Sequence, residues 1–300
     1  MKFGQVEDPS LIDFSIPKDH ISTSLVLERN KEGLKDIFVG CAKWNKTDLK
    51  GFYPKGTKDE LTYYATQFNS IEMNATFYGM PTPDQVTVWK NKTPDSFKFF
   101  PKITNTVSHF RRLNDVTEVV TQFASAIMNF EEKLGMVFLQ LHDNFKPKDF
   151  DRLKKFIKDW PVEVPLAIEL RNTEWFTDEN VFNETCELFE QHNITNIIVD
   201  TAGRRDMMHM RLTTPTAFVR YVGANADSDY TRLDEWIQRI IKWKEEGLRN
   251  LYFFVHQNIE KASPLLSAHF IENLNKAIGS ELEIPKMADS QPTLFKKNNQ

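Results

Sequence analysis

FNSIEMNATFYGMP, residues 68–81, opens with an alternation of apolar and polar side chains. That is the pattern of a half-buried strand, because successive side chains point to opposite faces. Ile71 and Met73 share one face, while Ser70, Glu72 and Asn74 share the other. The second half sets Phe77 and Tyr78 ahead of a Gly-Met-Pro turn. A carboxylate within a strand is costly unless another group answers its charge. The identity of that group decides how the rest of the chain is read.

Working outward, short β-rich runs recur: residues 37–42 (IFVGCA), 97–103 (FKFFPKI), 135–141 (GMVFLQL), 165–171 (PLAIELR), 195–200 (TNIIVD), 217–223 (AFVRYVG) and 250–256 (NLYFFVH). Most are separated by amphipathic helical patterns. Residues 115–134 open with Asp115 and Glu118, a capping signal, and close at Gly135. Residues 233–247 place Trp236, Ile237, Ile240, Ile241 and Trp243 at helical spacing and stop at a glycine. With residues 68–74, these runs predict an α/β fold, a single-domain (β/α)8 TIM barrel over 37–279. A doubly wound open sheet is the runner-up, but no strand is followed by a glycine-rich phosphate loop. Residues 1–36 are expected to plug the barrel's N-terminal face or wrap its side, and residues 280–300 to form a flexible tail.

The 300 residues carry a net charge of -4, which argues against a generally basic nucleic-acid binder while leaving room for a local basic patch. There is no signal-peptide pattern and no apolar run long enough to span a bilayer, so a cytoplasmic location without membrane contact is expected. Cys41 and Cys186 lack metal-ligand spacing and read as free thiols of a reducing compartment.

Strand parity sorts the polar residues. It sends Glu72 and Asn74 inward, together with Lys102, Gln140, His142, Glu169 and Arg171. Asp200, Arg220 and His256 are expected to join them. Barrel active sites are built at the C-terminal ends of the strands. Three acids (Glu72, Glu169, Asp200) and three bases (Lys102, Arg171, Arg220) at one rim exceed what packing needs and predict a site.

These residues sit in a set of short motifs. FYP (52–54), the 68–81 stretch, FKFFPKI followed by Ser108-His109 and Arg112-Leu113, LGMVFLQL, AIELRNTEW and FVRYVG together resemble the YecE-like family, also called domain of unknown function 72. The resemblance runs from about residue 37 to 270. It implies a TIM barrel shaped like xylose isomerases and endonuclease IV, with no established reaction. It also implies rim residues at Trp44, Glu72, Asn74, Phe77, Tyr78, Lys102, His109, Gln140, Glu169, Arg171, Trp175, Asp200 and Arg220. The family commonly has Ser-Gly-Trp where this chain has Ala42-Lys43-Trp44, and an Asn-rich end where this chain has VHQN (255–258).

Chemistry follows from residue type. Lys102, Arg171, Arg220 and His109 offer donors for a phosphate or carboxylate. Glu72 and Glu169 form a candidate acid/base pair, with Glu169 the first choice of base. Trp44, Tyr78 and Trp175 offer faces for a sugar or base. The expected function is an enzyme acting on a phosphate-bearing sugar or nucleic-acid fragment, with no cofactor predicted. Metal-assisted hydrolysis, as in endonuclease IV, is an alternative that would draw ligands from Glu72, Glu169, Asp200, His142 and His256. A glycosidase reading of the carboxylate pair is another. The tail carries a further alternative. Gln291, Leu294 and Phe295 of QPTLF resemble the peptide by which bacterial replication and repair proteins dock on the sliding clamp, which would make the protein a tethered binding module.

Overall fold

The computed structural model describes residues 4–288; Gln291, Leu294 and Phe295 lie outside the described residues. Each of the eight β-rich stretches forms a strand: β1 (Asp36–Cys41), β2 (Ser70–Met73), β3 (Lys98–Pro101), β4 (Val137–Gln140), β5 (Leu166–Glu169), β6 (Thr195–Asp200), β7 (Thr216–Gly223) and β8 (Asn250–Gln257). Six of them make one sheet in the order β1-β8-β7-β6-β5-β4, and β2 pairs with β3 in a two-stranded sheet. All of these pairings are parallel, and the first strand lies beside the last. The fold is an α/β, barrel-like arrangement.

Side chains and isolated backbone bonds join the two sheets. Asn69 accepts from the Val39 N–H (3.0 Å) and donates to the Ile37 carbonyl (2.7 Å). The Tyr64 hydroxyl accepts from the Cys41 N–H (2.7 Å) and donates to the Ser70 carbonyl (3.0 Å). Strands β1 and β2 approach so closely that a Cβ on Gly40 would sit 2.2 Å from the Ser70 oxygen, which is why glycine stands there. On the other side, the Phe99 carbonyl accepts from Gly135 (2.8 Å) and the Phe138 carbonyl from Ile103 (2.9 Å).

Parity divides the apolar residues into two layers. Phe100, Phe138, Ala167, Ile197, Val199, Phe218 and Phe254 pack together inside the curved sheet. Ile71, Met73, Phe99, Leu139, Ile168, Ile198, Val219 and Phe253 pack outward in the larger core with the helices. A helix follows seven of the strands: Glu60–Gln67, Pro83–Asn91, Thr117–Ile127, Phe150–Asp159, Glu179–Gln191, Ser228–Glu246 and Ser263–Ile278. Among the described residues, β6 to β7 is crossed with only a short 3-10 turn, Arg205–Met207.

The N-terminal segment serves that gap. Its helix Ile21–Leu27 binds the crossover through Thr23, whose hydroxyl donates to the Met210 carbonyl (2.8 Å) and accepts from the Leu212 N–H (3.1 Å). Leu27 is fully buried in the outer core. Of the two expected placements, the segment therefore wraps the side.

The expectation that 280–300 is one flexible tail needs correcting for its first part. Leu282, Ile284 and Met287 pack on the outer core, and Asn275 holds Leu282 by two bonds, to its carbonyl (2.8 Å) and its N–H (3.1 Å). Among the described residues no helix is long and apolar enough to cross a membrane. Cys41 and Cys186 are free and buried.

Candidate functional site

Glu72 is answered by Arg220, across the inside of the fold. Arg220, on β7, grips Glu72 with Nε and Nη2, each at 2.8 Å, a bidentate geometry that suits a planar guanidinium. Its third nitrogen, Nη1, donates to Glu169 on β5. Glu169 also accepts from Arg171 Nε (2.7 Å) and Gln140 Nε2 (2.8 Å). Gln140, on β4, accepts in turn from Lys102 Nζ (2.8 Å), just beyond β3. Asn74 donates to Glu72 (2.8 Å), and His256 Nε2 on β8 lies 2.9 Å from the same carboxylate. A continuous polar chain thus runs Glu72–Arg220–Glu169–Gln140–Lys102, with contributions from five strands or their ends.

The chain's electrostatics are lopsided. Burial alone would raise both carboxyls, but Arg220 outweighs it. With His256 it holds Glu72 well below the usual carboxylate range, and with Arg171 it brings Glu169 to about 2. Arg220 is correspondingly held above its ordinary value: burial works against its charge, but the two carboxylates prevail. Lys102 goes the other way. Burial, with the charge of Arg220 next, pulls its ammonium down to about 7. Its Nζ lies 4.1 Å from the centre of the Phe77 ring, a cation–π contact. His109 is lowered to about 4 by burial and by neighbouring His142 and Lys102. Ser108 Oγ lies 2.8 Å from its Nδ1, and its ring meets Phe77 and His142 edge-on at 4.9 and 5.0 Å.

Above this chain opens a cleft of about 670 Å³, lined by Arg171, Arg220 and His256 from the charged cluster and by Lys43 and Lys261 from the loops after β1 and β8. Lys43 is paired with Asp48 at 3.0 Å. A volume of this size suits a small ligand.

Two expected members lie elsewhere. Asp200 faces the helices, where it accepts from Arg232 Nη2 (2.6 Å) and Trp236 Nε1 (2.8 Å), because Ile197 and Val199 take the inward positions of β6. Trp175 is fully buried in the outer core, with its Nε1 donating to the Phe145 carbonyl at 2.8 Å, and offers no face to a ligand. Trp44 is half-buried and leans edge-on against Trp89 at 6.4 Å. Tyr78 is exposed in the short helical turn after β2. His256, expected inward but not among the rim residues that the family resemblance implies, sits within the cluster. Its signal was parity, since Phe254 and His256 share a face of β8.

Metal ligation has little to draw on. Glu72 and Glu169 are engaged by Arg220, and Asp200 points away. Among the described residues, no group of three or more His, Cys, Asp or Glu is placed to hold a metal ion.

The family model described as "Protein of unknown function DUF72" matches residues 38–289. The chain belongs to the DUF72 family. The UPF0759 protein YecE of Escherichia coli K12 is 26% identical over 281 residues, covering 86% of this chain and 100% of that protein. The UPF0759 protein YunF of Bacillus subtilis is 25% identical over 150 residues, 47% of this chain and 52% of that protein. Among solved structures, a DUF72 family protein of Enterococcus faecalis superposes with a TM-score of 0.67 at 19% identity, covering 84% of this chain and 100% of that one. One from Thermotoga maritima gives 0.66 at 25% identity, covering 80% and 100%. DUF72 thus supplies the fold for this site and, by its own description, no reaction.

Proposed function

We propose that this DUF72 chain is an enzyme that acts on a phosphate-bearing ligand, a sugar phosphate or nucleic-acid fragment, by acid/base chemistry at the C-terminal ends of its strands. We read the two sheets as one (β/α)8 barrel, a reading supported by the Asn69 and Tyr64 bridges on one side and the Phe99 and Phe138 carbonyl bonds on the other.

The observation that carries the proposal is the unbroken chain from Glu72 to Lys102 beneath the open cleft. In the cleft Arg171 receives the anion. Lys102 is the group poised to exchange a proton near neutrality, where general acid/base catalysis is most effective. The expectation that Glu169 is the base gives way. Two arginines hold it ionised and occupy both its oxygens, so its part is to orient Arg220, Arg171 and Gln140. The same argument weighs against a glycosidase pair, which needs one carboxyl protonated.

Thermal shift tests the reading, because a ligand that binds only the folded state raises the melting temperature. Phosphorylated sugars and nucleotides should stabilise the wild type more than their unphosphorylated forms, and Arg171→Ala should abolish the difference. A panel in which phosphorylated and unphosphorylated ligands act alike overturns the proposal. Once a turnover assay exists, Lys102→Met should remove activity while leaving phosphate-dependent stabilisation in place.

A further inference from the structure

Two aromatic rings that follow β2 and β3, beyond the C-terminal ends of those strands, have most of their surface in water. Tyr78, after β2, is 78% exposed, and Phe110, after β3, is 76% exposed. Single exposed apolar residues need no explanation, but Tyr78 is supported from below. Tyr78 meets Phe77 edge-on at 5.1 Å, Phe77 meets His109 at 4.9 Å, and Lys102 sits against the Phe77 ring. The loop bearing Phe110 is also built rather than slack. Residues 106–110 form a π-helical turn, a form common at functional sites. Arg112, Leu113 and Asp115 then adopt positive φ, which non-glycine residues rarely do. Arg111 Nη1 ties back to the Asp115 carbonyl at 2.6 Å, and Arg152 Nη1 holds the Arg112 carbonyl at 3.0 Å.

Positive charge continues past the cleft. Arg111 and Arg112 are exposed beside Phe110, while Lys50 and Lys261 join Lys43 along the cleft wall, offset by Asp48 and Glu260. In a chain of net charge -4 this is a local concentration. A single sugar phosphate has no use for cations after β1, β3 and β8 together with two solvent-facing rings after β2 and β3. A chain of repeated phosphates and flat rings uses both. Resting on the phosphate reading above, we propose that the ligand is a single-stranded polynucleotide, one phosphate entering the cleft while neighbouring bases stack on Tyr78 and Phe110. Recognition by ring faces predicts tolerance of base sequence, as at other stacking platforms.

The test uses the full chain and a fluorescently labelled oligothymidylate of about a dozen nucleotides, within the span such platforms cover. Fluorescence anisotropy gives its affinity, and an abasic strand of equal length and inorganic polyphosphate are the comparisons. The oligothymidylate should bind more tightly than either. Tyr78→Ala and Phe110→Ala should each weaken it about ten-fold while leaving the abasic strand unchanged. Both positions are exposed, so the variants should fold, and unchanged melting temperatures check this. Equal binding of all three polyanions, unaltered by the variants, overturns the stacking proposal. So does failure of the oligothymidylate to bind while a sugar phosphate still stabilises the wild type through Arg171, an outcome that spares the phosphate-pocket reading. Silence from every phosphorylated ligand removes both.

Discussion

Arg220 answers two carboxylates at once, and that arithmetic makes it the residue on which the interior depends. Replacing it with methionine leaves Glu72 and Glu169 buried without their shared counter-ion. The expected loss is about 3–5 kcal/mol, read as a lowered denaturation midpoint. The triple variant Arg220→Met, Glu72→Gln, Glu169→Gln should recover much of it, because no fully buried carboxylate is left without its counter-ion. Lys102 makes a pH-dependent prediction. With its folded pKa near 7 and its unfolded value ordinary, the unfolded chain binds the extra proton between the two, so stability rises with pH across that window. Lys102→Met should therefore stabilise the protein most at about pH 6, and the gain should shrink toward about pH 10. Glu72 was legible because Ile71 and Met73 fix the parity of its strand. Asp200 was not. TNIIVD is apolar on both faces, so nothing in it says which face is inward, and the buried partners Arg232 and Trp236 lie more than thirty positions downstream.

At the scale of elements, short β-rich runs mark all eight strands, because parallel strands buried on both sides are near-continuous apolar stretches rich in β-branched and aromatic residues. The bridges that replace a ladder between β1 and β2 were not readable, since they depend on Tyr64 and Asn69 reaching across from a helix and a loop. Tyr64→Phe removes the hydroxyl and strands the Cys41 N–H and the Ser70 carbonyl. A loss of roughly 1–3 kcal/mol for each orphaned group is expected, with faster hydrogen exchange at the Cys41 amide as the local sign. Thr23→Val should cost a comparable amount for the two bonds to the β6–β7 crossover, measured by the same denaturation.

The whole molecule shows where sequence reading reached its limit. The order of motifs gave the family and the charged rim, both of which follow from local pattern. The family resemblance implies a rim position for Trp175, yet its ring faces Phe145 and Phe150 in the outer core. Large aromatics serve packing as readily as ligands, and only the tertiary fold tells the two uses apart. The N-terminal wrap was equally hidden, because Thr23 and Met210 stand 187 positions apart.

That last separation has a consequence for how the protein is made. The helix Ile21–Leu27 leaves the ribosome early, but its seat at Met210 and Leu212 is synthesised much later, and β1 waits longer still for β8. Contacts so distant along the chain form slowly, and their partners stay exposed meanwhile. Nascent chains stalled before residue 208 should therefore be cut by protease within residues 21–35 and within β1. Full-length chains should resist at both. The helix Ile21–Leu27 would be synthesised well before its seat and be among the last elements to find its place.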